Sequence, residues 1–283
     1  MESLDFTKPS QSPIYDPVAA TAFFEAAGVT EEVAPGTTIF TERQQQSFFS
    51  VDDRMYLLHD GAVVLSVGHR SIDTVNPGEI FGEMATITHT PRSATAVAKT
   101  TCHVIALDGS QFLQAIRKTP GFALMMMSIM IDRLRLTLAR LAMMKALPDE
   151  EDGDGHRVFD NATLDQIADE LGNPTLLHFA AGQPVIHAGE AGVLMYLPRA
   201  GHVAIVTGGH TLEHVGVGGV FGEMTLVDRT TRAASAVAET DCALMTVNRN
   251  QFLDLVQTNP AFGLSLLKLI ALRLRAATMR LSN

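Results

Sequence analysis

The sequence predicts an α+β, mainly β, protein of two tandem jelly-roll-like β-rolls, each flanked by helices. Three observations carry this. From Met55 onward the chain repeats itself without a gap. Met55-Tyr56-Leu57 returns as Met195-Tyr196-Leu197, Phe81-Gly82-Glu83-Met84 as Phe221-Gly222-Glu223-Met224, Gln111-Phe112-Leu113 as Gln251-Phe252-Leu253, and Arg133-Leu134-Arg135 as Arg273-Leu274-Arg275. Roughly a third of the positions from 55 to 137 match their partners, far above chance for an ungapped register. Within each copy, short alternating apolar runs are punctuated by Gly at the ~8–12-residue spacing of a β-barrel or jelly roll. Each copy then closes with a longer helical segment after Pro120 or Pro260.

The elements follow in order. The opening MESLDFTKPSQSPIYDP has neither the basic nor the apolar region of a signal peptide. A short helix is expected over Val18–Ala27, then strands in TTIF, MYLLHDG and AVVLSV. Gly36 matches Gly182, so the first copy carries about six extra residues in or near Gln44–Asp53, the mark of a longer hairpin loop. CHVIAL and CALMTV are strand-like, and a closing helix covers Leu124–Leu141. The join LPDEEDGDGHR is acidic and Gly-containing, which suits a solvated linker. The second copy opens with a helix over Leu164–Leu171, capped by Asn161 or Thr163, runs through MYLPRAG and VAIVTGG, and closes over Leu264–Leu281. The division is therefore 18–147, a linker at 148–161, and 162–283.

Composition removes several function classes. The 283 residues include 31 acidic and 21 basic ones, a formal charge of −10. That balance argues against a surface that embraces nucleic acid, but allows a small anion held by one or two local cations. Cys102 and Cys242 are one repeated position, read as a small buried apolar site, and two cysteines are too few for a disulfide scaffold or a zinc ribbon. The longest apolar stretch, Gly121 to Ile131, is broken by Asp132, Arg133 and Arg135, so no membrane span is expected. The reading is a soluble, cytoplasmic protein with reduced thiols.

Other motifs have bland explanations. Glu150, Asp152, Asp154 and Gly155 stand at calcium-loop spacing, but position one is Glu and Asn161 stands where the closing Glu belongs. His210 and His214 lie in a Gly-rich, strand-like run, so no metal is expected there. The methionines 125–127, 130, 143 and 144 read as core or helix-packing surface rather than a cofactor site. Thr163–Thr175 resembles the start of a helix-turn-helix, yet no Lys or Arg occurs between Arg157 and Arg199, and LLHFAAGQPVI reads as a strand.

The chemistry concentrates in Pro77–Ala98 and Val217–Ala238. Each segment places a Gly, a Glu and a short helix-capable stretch (Glu83–Ile87, Glu223–Val227) before a lone Arg. Gly82 or Gly222 lets backbone approach a ligand closely. Amides at a helix start suit an anion. Arg92 or Arg232 adds a charge-assisted contact that fits phosphate. Ser93, Ala94, Ala233 and Ala234 leave room and supply amides. Glu83 and Glu223 would repel phosphate, and fit a sugar hydroxyl instead.

These paired segments resemble the phosphate-binding cassette of cyclic nucleotide-binding domains, the module of bacterial cAMP-receptor-type regulators, protein kinase A regulatory subunits and cyclic-nucleotide-gated channels. The resemblance implies that Glu83 and Glu223 bind the ribose 2′-hydroxyl and that Arg92 and Arg232 bind the cyclic phosphate. Backbone at Gly82, Met84, Ala85, Ser93 and Ala94 would complete the first pocket, and at Gly222, Met224, Thr225, Ala233 and Ala234 the second. The closing helices would act as lids, with Arg133, Thr137 and Arg273 as lid contacts and Ala277 in place of Thr137. Thr86 stands where the family has an aliphatic residue, Thr225 replaces Ala, and Thr231 replaces the Pro matched by Pro91. In the family the residue after the Arg influences base choice: Ser93 suits either base and Ala233 leans toward cAMP, so cAMP is expected over cGMP.

The expected function is a cyclic nucleotide sensor without catalytic or DNA-binding parts, acting on a protein partner or through self-association of its lid helices. The alternative is a structural or assembly module that keeps the fold without ligand. A cupin-type enzyme fares worst, because no metal triad or acid–base pair converges. A kinase regulatory subunit is disfavoured because the N-terminal arm has no Arg for a basic pseudosubstrate.

Overall fold

The computed structural model describes residues 15–43, 54–68, 70–147 and 157–281. The expected long loop at Gln44–Asp53 and the Glu150–Gly155 motif lie outside these residues. The first repeat opens with α1 (Pro17–Ala27), where Asp16 accepts the Val18 amide and Pro17 fills the first turn. There follow β1 (Val29–Val33), β2 (Thr38–Phe40), β3 (Arg54–Asp60), β4 (Val63–Val67), β5 (Arg70–Val75), β6 (Ile80–Phe81), α2 (Glu83–Thr88), β7 (Thr95–Ala98), β8 (Cys102–Asp108), α3 (Gly109–Lys118) and α4 (Gly121–Met143). The second repeat has α5 (Asn161–Glu170), β9 (Leu177–Phe179), β10 (Pro184–Ile186), β11 (Leu194–Ala200), β12 (Val203–Thr207), β13 (His210–Val215), α6 (Met224–Asp228), β14 (Ser235–Ala238), β15 (Cys242–Asn248), α7 (Arg249–Thr258) and α8 (Pro260–Leu281).

The strands form two antiparallel sheets per repeat. In the first repeat their orders are β1-β8-β3-β6 and β2-β7-β4-β5; in the second, β9-β15-β11 and β10-β14-β12-β13. The equivalence extends to single pairings. Tyr56 opposes Phe81 with stacked rings 5.2 Å apart, and Tyr196 opposes Phe221 with rings 5.0 Å apart. LLHFAAGQPVI is two strands split by a turn, β9 and β10. The sequence placed the cap of α5 at Asn161 or Thr163. The cap is Asp160, whose Oδ1 accepts the Thr163 amide at 2.8 Å, a bond that holds the Asp160 carboxyl below its usual range. The repeated Gln-Phe-Leu also gains a physical meaning. Gln111 and Gln251 close capping boxes with Asp108 and Asn248, starting the short helices α3 and α7, and Phe112 and Phe252 are buried behind them.

The described residues form two compact units: those up to Asp132 together with those from Ile270, and those of Arg133–Leu269. Each unit holds one β-roll core. In the first, α1 docks through Phe23, whose ring stacks on Phe122 at 3.6 Å. In the second, Phe159 stacks on Phe262 at 5.6 Å. The division cuts both closing helices. From Arg133 onward α4 belongs to the unit of the second cassette, and from Ile270 onward α8 belongs to the unit of the first. The candidate lid residues Arg133 and Thr137 thus lie in the second unit, and Arg273 and Ala277 in the first. Of the methionine stripe, Met125, Met126, Met127 and Met130 are core, while Met143 and Met144 are exposed.

Cys102 and Cys242 are buried and not bridged, and their burial is what a repeated small core position requires. Each packs under a left-handed glycine. A Cβ on Gly201 (φ +80) would lie 2.3 Å from Asp241 O and 2.7 Å from Cys242 Sγ. Gly182 has nearly the same φ, +82, with nothing within 4 Å. Gly182→Ala should cost about 1 kcal/mol from the left-handed conformation alone. Gly201→Ala adds a backbone clash in a packed site and should cost about 3 kcal/mol or more. Denaturant titration of both variants checks this; equal losses would refute it.

Candidate functional site

Each cassette starts where the β6 strand, or its bridge at Phe221, meets a left-handed glycine. Gly82 has φ +77 and Gly222 φ +79. The reason for glycine is the arginine as well as the turn: a Cβ would lie 3.0 Å from Arg92 Nη1, and 2.7 Å from Arg232 Nη1. A short helix follows, α2 or α6, ended by a left-handed residue, His89 or Arg229. The chain then turns to the arginine and enters β7 or β14.

The arginines are buried, Arg92 at 3% exposure and Arg232 at 8%. Arg92 Nη1 donates to Gly82 O at 2.7 Å and Nη2 to Arg54 O at 2.8 Å. Arg232 repeats both bonds, to Gly222 O at 2.7 Å and Leu194 O at 2.6 Å. The supports differ. Arg92 lies over the Phe40 ring, 4.3 Å from its centroid. Ile186 fills Phe40's place in the second repeat, where Arg232 Nη1 instead donates to Thr225 Oγ1 at 3.0 Å. Burial pulls Arg232 below its ordinary pKa, opposed by Tyr196 and Glu223 beside it. Glu83 and Glu223 are also buried, at 4% and 2%. A buried guanidinium beside a buried carboxylate suits a ligand that has an anion at one end and hydroxyls at the other.

The structure brings the sequence-predicted residues together in each cassette. Gly82, Glu83, Met84 and Ala85 form the turn into α2, and Arg92, Ser93 and Ala94 form the return. Gly222, Glu223, Met224, Thr225, Arg232, Ala233 and Ala234 do the same in the second copy. Glu223 does not cap α6 with its side chain. The departures have local roles. Thr86 Oγ1 bonds Gly82 O at 3.3 Å, beside the Arg92 bond. Thr231, in place of proline, bridges Ala191, and Arg232 N donates to Glu190 O at 2.9 Å, so the loop before β11 pins the turn.

Sequence reasoning missed Phe40, the carbonyls of Arg54 and Leu194, and Gly192. A Cβ on Gly192 would lie 2.3 Å from Arg232 Nε and 2.6 Å from Thr225 Oγ1. Nothing in the repeat pointed to these, because they sit on strands and loops far from the motif and differ between the copies. Among the described residues no group of three His, Cys, Asp or Glu is placed to hold a metal, and His214 instead pairs with Glu239 at 2.8 Å. No single described helix is long and apolar enough to cross a membrane.

Comparison with known proteins follows the same two segments. The sequence model of the family described as "Cyclic nucleotide-binding domain" matches residues 30–119 and 176–259, more than half of the chain. A cAMP-dependent protein kinase regulatory subunit of Eremothecium gossypii is 29% identical over 201 residues, 71% of this chain and 39% of the relative. A Cyclic AMP receptor protein of Thermus thermophilus is 37% identical over 108 residues, 36% of this chain and 50% of the relative. The chain spans half or less of the length of these relatives. Among solved structures, the regulatory domain of Toxoplasma gondii PKA with cAMP aligns with 84% of this chain and 86% of its own at 18% identity, with a TM-score of 0.31.

Proposed function

The chain belongs to the cyclic nucleotide-binding domain family, and from that premise we propose that it is a two-site cyclic nucleotide sensor, taking cAMP in preference to cGMP. Arg92 and Arg232 hold the cyclic phosphate, aided by backbone amides of the turn into α2 or α6 and of the return through Ser93 and Ala94 or Ala233 and Ala234. Glu83 and Glu223 accept from the ribose 2′-hydroxyl. Each pocket takes one nucleotide, and the arrangement binds its ligand rather than transforming it. One observation carries the reading: a buried arginine fixed at the same two backbone positions beside a buried glutamate, built twice in one chain.

Ligand binding would bias the position of the closing helices, which a protein partner, or a second copy, then reads. The regulatory subunits among the relatives support a regulatory rather than catalytic role. The direct test is thermal unfolding with calorimetric stoichiometry. At ~100 times its dissociation constant a nucleotide stabilises by about 2.7 kcal/mol per site. The expected result is two cAMP per chain and a smaller shift with cGMP. If neither nucleotide moves the melting curve, the sensor reading is wrong and a ligand-free assembly module is the better account.

A further inference from the structure

The repeated Arg-Leu-Arg of the closing helices contains a member the proposed pockets do not use. Arg135 and Arg275 are the same position of the repeat, and each lies in the unit of the other repeat's cassette. Within the unit of Arg133–Leu269, Arg135 Nε donates to Asp228 Oδ2 at 2.6 Å, and Nη2 approaches Oδ1 at 3.4 Å. Asp228 ends α6, and its side chain is 1% exposed against 22% for Arg135. The same carboxylate accepts from the Thr230 amide at 3.0 Å and its hydroxyl at 2.9 Å. Asp228 therefore ties together the turn that delivers Arg232. In the other unit, Arg275 Nη1 donates to the carbonyl of Pro91, the residue just before Arg92.

These contacts have different chemistry for a reason visible in the sequence. A carboxylate as buried as Asp228 needs a cationic partner, which Arg135 supplies. The matching residue of the first cassette is Thr88, a neutral group whose hydroxyl meets Thr90 Oγ1 at 2.6 Å and Met84 O at 2.6 Å. Among the described residues Arg275 meets no carboxylate there and bonds a backbone carbonyl instead. Both arginines nonetheless reach the same stretch of cassette, from the last residue of the short helix to the residue before the buried arginine.

We propose that Arg135 and Arg275 are crossed positioning residues: Arg135, from the first repeat, sets the second cassette through Asp228, and Arg275, from the second repeat, sets the first cassette through the Pro91 carbonyl. The proposal rests on the ligand pockets proposed above. It makes each pocket sensitive to the other repeat's closing helix.

The experiment uses the full chain, with one pocket silenced at a time. With the first pocket silenced by Arg92→Lys, Arg135→Gln should weaken cAMP binding about tenfold, and Arg135→Lys much less. With the second silenced by Arg232→Lys, Arg135→Gln should change nothing, and Arg275→Gln should weaken binding. Because Arg135→Gln strands a buried charge, the pair is repeated on Asp228→Thr, which installs the first repeat's residue. In that background the second pocket should become indifferent to residue 135. Hydrogen exchange of the ligand-free chain gives a readout that needs no nucleotide: Arg135→Gln should speed exchange of the Thr230 amide and leave the amides of 82–94 unchanged. Weakening of the first pocket by Arg135→Gln, equal weakening of both, unchanged Thr230 exchange, or persistence of the effect on Asp228→Thr would overturn the proposal. If cAMP and cGMP fail to bind the unsubstituted chain, the pocket reading falls, and exchange alone decides the positioning.

Discussion

Arg92→Lys is expected to weaken cyclic nucleotide binding at the first pocket by about a hundredfold or more, and Arg232→Lys to do the same at the second, each leaving the other pocket intact. Donor geometry is the cause. The guanidinium of Arg92 spends one donor on Gly82 O and one on Arg54 O, at 2.7 and 2.8 Å, and keeps its planar, charged fork. An ammonium keeps the charge but is a single point, and cannot span two carbonyls and a phosphate together. Each charge-assisted hydrogen bond lost is worth about 1.5–3 kcal/mol, and two such losses give the stated factor. Alanine is the poorer test, because it leaves two buried carbonyls without their donor and removes the contact on the Phe40 ring, so stability falls along with affinity. Calorimetry should show stoichiometry falling from two nucleotides to one in either lysine variant, with the melting temperature of the free chain little changed. Two unaltered sites in both variants would remove the arginines from the pocket.

The repeat made most of this legible. Once Phe81-Gly82-Glu83-Met84 is seen to return as Phe221-Gly222-Glu223-Met224, the cassettes, both β-rolls and the shared position of Cys102 and Cys242 follow from register alone. The fold places every one of these as the register requires, down to the Tyr56–Phe81 and Tyr196–Phe221 pairings. What the repeat hid lies where the copies diverge. Phe40 against Ile186 and Ala85 against Thr225 look like neutral drift in a sequence. In space they are two solutions to one problem, since each buried arginine needs either a ring beneath it or a hydroxyl beside it. The arginine pair 135 and 275 was visible as a motif, but its targets, Asp228 and Pro91, are 93 and 184 residues away, and no local pattern links them. The cap of α5 failed for a smaller reason: three capping residues, Asp160, Asn161 and Thr163, stand nearly side by side, and backbone conformation chooses among them.

That divergence supplies the second large effect. Gly192→Ala should abolish or severely weaken binding at the second pocket alone. Backbone strain is not the cause, because Gly192 does not occupy the left-handed region. The cause is contact. The new methyl would stand 2.3 Å from Arg232 Nε and 2.4 Å from Cζ, and 2.6 Å from Thr225 Oγ1. Arg232 cannot retreat cheaply, since both of its Nη atoms are fixed to Gly222 O and Leu194 O and its surroundings are packed. Overpacking of this kind costs about 1–3 kcal/mol, and relieving it by swinging the guanidinium out removes the side chain proposed to hold the phosphate. Gly182, in the turn between β9 and β10, is the control. It has φ +82 with nothing within 4 Å, so Gly182→Ala should cost about 1 kcal/mol of stability and leave affinity intact. Adding Thr225→Ala to Gly192→Ala separates the two contacts. It clears the hydroxyl but not the guanidinium, so binding should stay lost. Recovery of the second site in that double variant would show that the methyl acts through Thr225, and that Arg232 is less fixed than its two carbonyl bonds imply.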